Sequence, residues 1–434
     1  MEEPNEELNP QQQAQAVLKQ AWFLIRRDWA LKFKAVQEQR IKACIEDFRG
    51  YCRDIRREQI EGRKGKIGYI TCSMLRTAWL EGRPAYLVEA SDARWMLDPE
   101  PIRFEWDISW SYAYWADLQQ QLRREAEKQF MSLSELEWEH AMLEAAEHVH
   151  ALLVNMMRLA MKQAVCLPEF QELEREEMFE IRVGEYMDHS VSVYREDRRA
   201  MEASEIRSWL EEKEEYAYSY QALTQVQLSD GDYSLLDFRY TAFRQMEMER
   251  SRLHGCVLVG TVWQESQLNG IDLTYSLLYG ADFSGCSMKG AIFDAVMGNA
   301  GFGPGASLDW EPLGFVGVDF TGASLQLARF TDAQLRGAVF QNALLHRATL
   351  NGADLTDACF VGADVSGASF EGACLSGADF TGANVQGVMF TDAQRREAIG
   401  LDCTALESSL PDGEPSSSDP AQVRDAVRKR EWLH

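Results

Sequence analysis

Asn351-Gly352-Ala353-Asp354-Leu355 and Ser376-Gly377-Ala378-Asp379-Phe380 are two copies of one five-residue phrase, whose last three places are small, acidic and large. Outward from them, a large apolar residue recurs at every fifth position. One run passes from Leu228 through Tyr233, Phe238, Phe243, Trp263 and Phe283 to Phe293, fourteen positions without an omission. A second passes from Phe315 to Phe390, sixteen more. Two places before the large residue the second run is small, with alanine at every step from Ala323 to Ala383. Glycine favours the phase two residues after it.

A period of five fits neither the helical nor the strand repeat, so one inward pair per five residues requires a turn in every unit. A square coil satisfies this. With four units per coil, each face sends one large and one small side chain inward, the large residues form ladders along the axis, and glycine relieves the corners. At roughly 4.8 Å per coil, thirty faces make a rod of about 35 Å. Each buried large side chain contributes roughly 1.5 to 3 kcal/mol against the entropy of the chain.

The phrase resembles the pentapeptide-repeat family, whose unit is usually written Ala-(Asp/Asn)-Leu-x-x. The second run matches closely. The first is looser: Asp232, Asp237, Glu247, Asp272 and Asp282 keep the acidic place, but alanine survives only at Ala242, Ala281 and Ala291. The resemblance covers about residues 228–392. It implies a right-handed quadrilateral β-helix, the pentapeptide-repeat solenoid, and no catalytic residue.

From Phe293 to Phe315 is twenty-two residues, two more than a multiple of five, so the register cannot run straight through. The turn-forming stretch Gly298 to Gly305 makes a projecting loop over 294–314 the expected solution. Phe302 and Trp310 are then either partner-binding anchors or folded back on the rod. Beyond Leu401 the chain is rich in Ser, Pro and Asp. A helix from Ala421 to Trp432, carrying Val423, Val427 and Trp432, would cover the open coil end or pair two chains into a homodimer.

The amino-terminal half is read as mainly helical, giving an α+β multidomain chain. Apolar residues from Leu18 to Ile55 recur at three-to-four spacing, and a second helical stretch runs from about Ala116 to Val165. Short strands or irregular packing are expected between them, around Trp79, Tyr86, Trp95, Trp106, Trp110 and Trp115. A hairpin is expected around Met187-Asp188-His189, and a helix from Ser204 to about Tyr216 leads into the rod. The resulting divisions are a disordered tail at 1–11, a mainly helical domain at 12–220, the β-helix at 221–400, and a linker with a short helix at 401–434.

With 69 acidic against 44 basic residues the formal net charge is −25. That argues against direct nucleic-acid binding and against anionic membrane surfaces. The first residues show no basic or apolar segment of a signal peptide. Nine cysteines without Cys-x-x-Cys spacing read as buried thiols of a reducing compartment, the cytoplasm. Glu137 with His140 and Glu147 with His150 make two Glu-x-x-His pairs, but on one helix they are turned about 80° apart and cannot close on one ion. His140, Glu144 and His148 share a face and read as a solvated stripe; Glu185 with Asp188 and His189 is a weaker cluster. No cofactor, metal or catalytic residue is assigned.

The function read from these features is non-catalytic protein interaction or scaffolding, with the rigid acidic rod as the binding surface and another protein as partner. Asp354, Asp364 and Asp379 are the candidate contacts on the rod. Through the family resemblance, a DNA-mimicking protector or inhibitor of type II topoisomerase (gyrase) is the alternative. Its charge match is half strength, because residues 221–400 carry 20 acids and 10 bases where duplex DNA of about 35 Å carries about twenty charges. A further alternative is an enzymatic or ligand-binding amino-terminal domain with the rod as targeting module. Export as an effector is the least supported.

Overall fold

The computed structural model describes residues 10–76, 78, 85–128, 135–199, 202–214, 217–300 and 316–401. From Tyr220 onward, parallel bridges join each outward position to the one twenty residues later: Gln227 to Glu247, Gln267 and Ser287, and Asp232 to Arg252 and Asp272. Four such columns run the length of this region, so twenty residues make one coil of four faces. Every large residue from Leu228 to Phe293 and from Phe320 to Phe380 is at most 1% exposed.

One inward column is aromatic almost throughout. Phe243, Trp263, Phe283, Phe320, Phe340, Phe360 and Phe380 stack with ring centroids 3.9 to 5.7 Å apart. Rings from opposite columns meet edge to face across the coil, as Phe320 and Phe330 do at 84°. Both arrangements suit the ring quadrupole. The corner residue lies two places after the large one and takes a positive φ, 70° at Gly352 but also 61° at Tyr275. Glycine adopts that conformation without a Cβ penalty, which accounts for its phase in the second run.

The break in register is closed over. Asp282 bridges Asp319, thirty-seven positions on in place of twenty, so seventeen extra residues leave the ladder unbroken. The rings of Phe283 and Phe320 still stack, 9° from parallel. The departure expected from residue 294 comes later than that, because Val296 is fully buried and Met297 bridges both Leu277 and Gln334. Gly298 fills the next large place, where a Cβ would lie 2.4 Å from the Val318 side chain. A glycine in that place hid one repeat from the sequence reading. Phe315, Phe302 and Trp310 lie outside the described residues.

Both ends are covered. The coil starts one face before the run that begins at Leu228, with Leu223 buried in β6 (Ala222–Thr224), which pairs in parallel with β7 (Ala242–Arg244). β8 (Val262–Gln264) follows β7 in the same way. Helix α5 (Ala203–Glu211) closes the first coil through buried Leu210, and Trp209 meets Tyr218 edge-on at 4.8 Å. At the far end α6 (Asp392–Glu397) opens with a capping box between Thr391 and Gln394. Buried Gln394 donates to the carbonyls of Phe370 and Ala373 at 2.8 and 3.0 Å. A short helix starting two residues after Phe390, the last large residue, thus covers the end; the one expected at 421–432 lies outside the described residues.

The amino-terminal half is built differently from the expectation of helices with short strands. It contains a five-stranded mixed sheet in the order β3-β2-β1-β4-β5. Its strands are β1 (Ile67–Met74), β2 (Ala85–Ser91), β3 (Ile102–Asp107), β4 (Arg175–Glu185) and β5 (Ser190–Asp197). β1 and β4 are parallel and the other neighbours antiparallel. The β4–β5 pair is the hairpin expected around Met187, which takes φ 59°.

Helices α1 (Pro10–Ile60) and α3 (Glu135–Ala164) pack on the sheet, α2 (Ser109–Lys128) packs on both of them, and the single turn α4 (Pro168–Gln171) lies against α1. Ile45, Phe48 and Ile55 of α1, Leu153, Met157 and Met161 of α3, and Ile70, Val88, Phe179 and Ile181 of the sheet form one core. No helix among the described residues is long and apolar enough to cross a membrane.

Candidate functional site

The rod offers its outward residues in four columns, and the amino-terminal domain occupies one side of them. Lys162 of α3 bonds Asp282 at 2.6 Å, and the Arg158 guanidinium lies 3.6 Å from the Tyr240 ring centre. From β5, Arg195 donates to the Tyr220 carbonyl at 3.0 Å. These contacts take the column through Ala242, Val262 and Asp282 and the corner beside it. Burial raises the Asp282 pKa, but Lys162 and Ser284 outweigh it and hold the carboxyl below the ordinary aspartate range.

The columns through Glu247, Gln267 and Asp364, and through Asp232, Asp272 and Thr349, are left open. They and their corners carry large apolar residues facing water: Leu235 is 75% exposed, Tyr275 63%, Leu327 49% and Leu344 44%. His254 meets Tyr275 edge-on at 5.4 Å. Side chains on such a wall are held at fixed spacing by the ladder beneath, so little ordering entropy remains to be lost on binding.

Of the carboxylates expected to touch a partner, each is engaged in its own turn. Asp354 accepts from the Thr356 amide at 3.1 Å and from Arg336 at 3.1 Å. Asp364 accepts from the Ser366 amide and the Asn384 side chain, both at 3.0 Å. Asp379 accepts from the Thr381 amide at 2.8 Å and from its hydroxyl. Hydrogen bonds from Ser366 and Thr381 hold Asp364 and Asp379 below the usual carboxylate range. At Asp354 burial acts upward and is outweighed by Thr356 and Arg336. This is the aspartate turn, in which the acid caps an amide two residues on. The three acids lie in three different columns and are not brought together.

The loop candidates Glu185, Asp188 and His189 share the β4–β5 turn, where the Glu185 amide donates to the His189 carbonyl at 2.9 Å and the Asp188 amide to the Glu185 carbonyl at 3.2 Å. His150 is a packing residue: its Nδ1 lies 2.6 Å from the Tyr86 hydroxyl and the two rings stack at 5.9 Å. Burial lowers its pKa to about 4, so the ring is neutral. The side chains of Glu137, His140, Glu144, Glu147 and His148 lie outside the described residues. Among the described residues no three His, Cys, Asp or Glu side chains are grouped to hold a metal. The tryptophans are dispersed: Trp106 is buried and donates to Asp47, Trp95 stacks on Tyr69 at 5.2 Å, and Trp110 lies under Arg40. Trp79 and the Trp115 side chain lie outside the described residues.

With the twenty-residue coil established, comparison with known proteins agrees. The family model for pentapeptide repeats matches eight copies over residues 251–290, 315–352 and 350–387. This part of the chain consists of pentapeptide repeats. No curated protein matches the chain. Solved structures that align with it include trypsin-treated QnrB1, a plasmid-mediated fluoroquinolone resistance protein, at 19% identity over 42% of this chain and 89% of that one, TM-score 0.27. HetL, a pentapeptide repeat protein involved in heterocyst differentiation regulation in the cyanobacterium Nostoc sp. strain PCC 7120, aligns at 22% identity over 44% of this chain and 94% of that one, TM-score 0.22. At these scores the alignments bear on nothing beyond the repeat itself.

Proposed function

We propose that the protein is a non-catalytic interaction protein, in which residues 220–401 form a right-handed quadrilateral β-helix that binds another protein on its open faces. The observation that carries this is the exposure of Leu235, Tyr275, Leu327 and Leu344 on the columns left free by the amino-terminal domain. Solvent-facing large apolar groups on a rigid wall are the anchors protein interfaces use. The described inward places of the coil are filled by packed side chains, and burial holds the two thiols among them, Cys256 and Cys286, protonated. All eight described cysteines are free thiols, which suits the cytoplasm.

Imitation of DNA rests on the family resemblance and on a net charge of half the strength required. It would need rows of uncompensated carboxylates, whereas Arg250 pairs with Asp230, Arg252 with Asp232, Arg329 with Asp294 and Arg336 with Asp354. The test is capture from native lysate on immobilised full-length protein, beside a Leu235→Asp/Tyr275→Asp variant and a Leu344→Asp variant. The same specific protein retained by wild type and lost from one variant supports the reading. Equal retention by all three overturns it. Relief of quinolone inhibition of gyrase by the full-length protein would put the DNA-mimic reading in its place.

A further inference from the structure

A cleft of about 260 Å³ lies where α3 and β5 meet the first coils of the rod. Four cations line it: Arg158 and Lys162 from α3, Arg195 from β5 and Arg244 from β7. Among the described residues its lining contains no carboxylate. Lys162 is answered from behind by Asp282. The three arginines have no carboxylate within ion-pair distance among the described residues, although the chain carries an excess of 25 negative charges.

Their existing contacts are with neutral groups. Arg158 donates to the Asn155 side-chain oxygen at 3.1 Å, and its Nε is buried without a hydrogen-bond partner. Arg195 donates to the Tyr220 carbonyl, and Arg244 to the Arg195 carbonyl at 3.3 Å. Three half-buried guanidiniums that share a cleft repel one another and lose hydration, and none of them is in an ion pair among the described residues. Planar forks of this kind match the oxygens of phosphate and carboxylate, and low-dielectric walls concentrate their field. The remaining lining is apolar, with Leu159, Val193, Val262 and Val316 among it, beside the ring of Tyr240.

We infer that this junction cleft binds a small organic oxyanion, a phosphate ester or carboxylate with an apolar body, whose charge is met by Arg158, Arg195 and Arg244. The volume suits a metabolite rather than a chain segment. The inference does not depend on what the rod's open faces bind. Because the arginines come from both halves of the molecule, the occupant bridges them.

The experiment is calorimetric titration of the full-length protein with 1-naphthyl phosphate, 2-naphthoate and inorganic phosphate. One naphthyl anion is expected to bind at one site per chain, more tightly than inorganic phosphate. Arg158→Gln and Arg244→Gln should each weaken it about tenfold or more, since a charged hydrogen bond is lost. Arg244→Lys, which keeps the charge, should fall between, and Arg347→Gln on the far part of the rod should bind as wild type. Circular dichroism separates lost binding from lost folding. The inference is overturned if no probe binds, if inorganic phosphate binds as tightly as the naphthyl anions, or if the folded arginine variants bind unchanged.

Discussion

Lowering the pH from 7.5 toward 4.5 should loosen the amino-terminal domain through one imidazole. His150 lies among Tyr86, Trp106 and the α3 core, and burial brings its pKa from 6.5 to about 4. The folded ring stays neutral where the unfolded ring is already charged. Its contribution to stability is therefore complete above pH 6.5 and is lost as the pH falls from 6.5 to 4. At 1.36 kcal/mol per pH unit the full loss is about 3 kcal/mol, and about 2 kcal/mol is gone by pH 5. The carboxylates held low, Asp282, Asp354, Asp364 and Asp379, act in a different window. Their contribution is present above the ordinary aspartate value of 3.8 and lost only as pH falls below it. Urea unfolding at pH 7.5, 6.5, 5.5 and 5.0, followed by tryptophan fluorescence, reads the effect. His150→Gln keeps an acceptor for the Tyr86 hydroxyl and removes the titration, so its stability should be flat over that range. Equal pH dependence in wild type and variant would refute the argument.

Phe360→Ala opens the middle of the ring stack, where centroids lie 4.8 and 4.6 Å away on either side. It should cost about 3 to 5 kcal/mol in chemical denaturation. Gly352→Ala brings a Cβ to 2.2 Å from the Asp332 carboxyl at φ 70°, whereas Gly290→Ala at φ 67° meets nothing within 4 Å. Both should lower the melting temperature, the first by the larger amount, since the second pays only about 1 kcal/mol of left-handed strain. Gln394→Ala strips the partners from the Phe370 and Ala373 carbonyls and should cost about 1 to 3 kcal/mol. Hydrogen exchange should speed up in the last two coils while the coils from Leu228 to Leu278 stay protected.

The coil was legible because each face repeats the same inward demand, so thirty places vote for one period. Val296 and Gly298 escaped that reading because a glycine stands where the pattern calls for bulk, and the missing side chain looked like the start of a loop. The sheet of the amino-terminal half was harder for a different reason. β1 pairs with β4, so Ile70 meets Ile181 across more than a hundred residues, and no local periodicity reports such a partner. His150 was noticed for its spacing to Glu147, but its role comes from Tyr86 on another element. The junction cleft could not have been found by spacing at all. Arg158, Arg195 and Arg244 belong to a helix, a strand of the mixed sheet and a face of the coil, and only the folded chain assembles them.

Pairing resumes between Asp282 and Asp319 as though nothing stood between the two repeats. The wall is in this respect a zip that has swallowed a fold of cloth and still runs. Each tooth engages only the teeth above and below, so a detour in the thread costs little beyond loop closure, which grows only slowly with length. That join is accordingly the place to splice in a fluorescent tag or an epitope without unthreading the column.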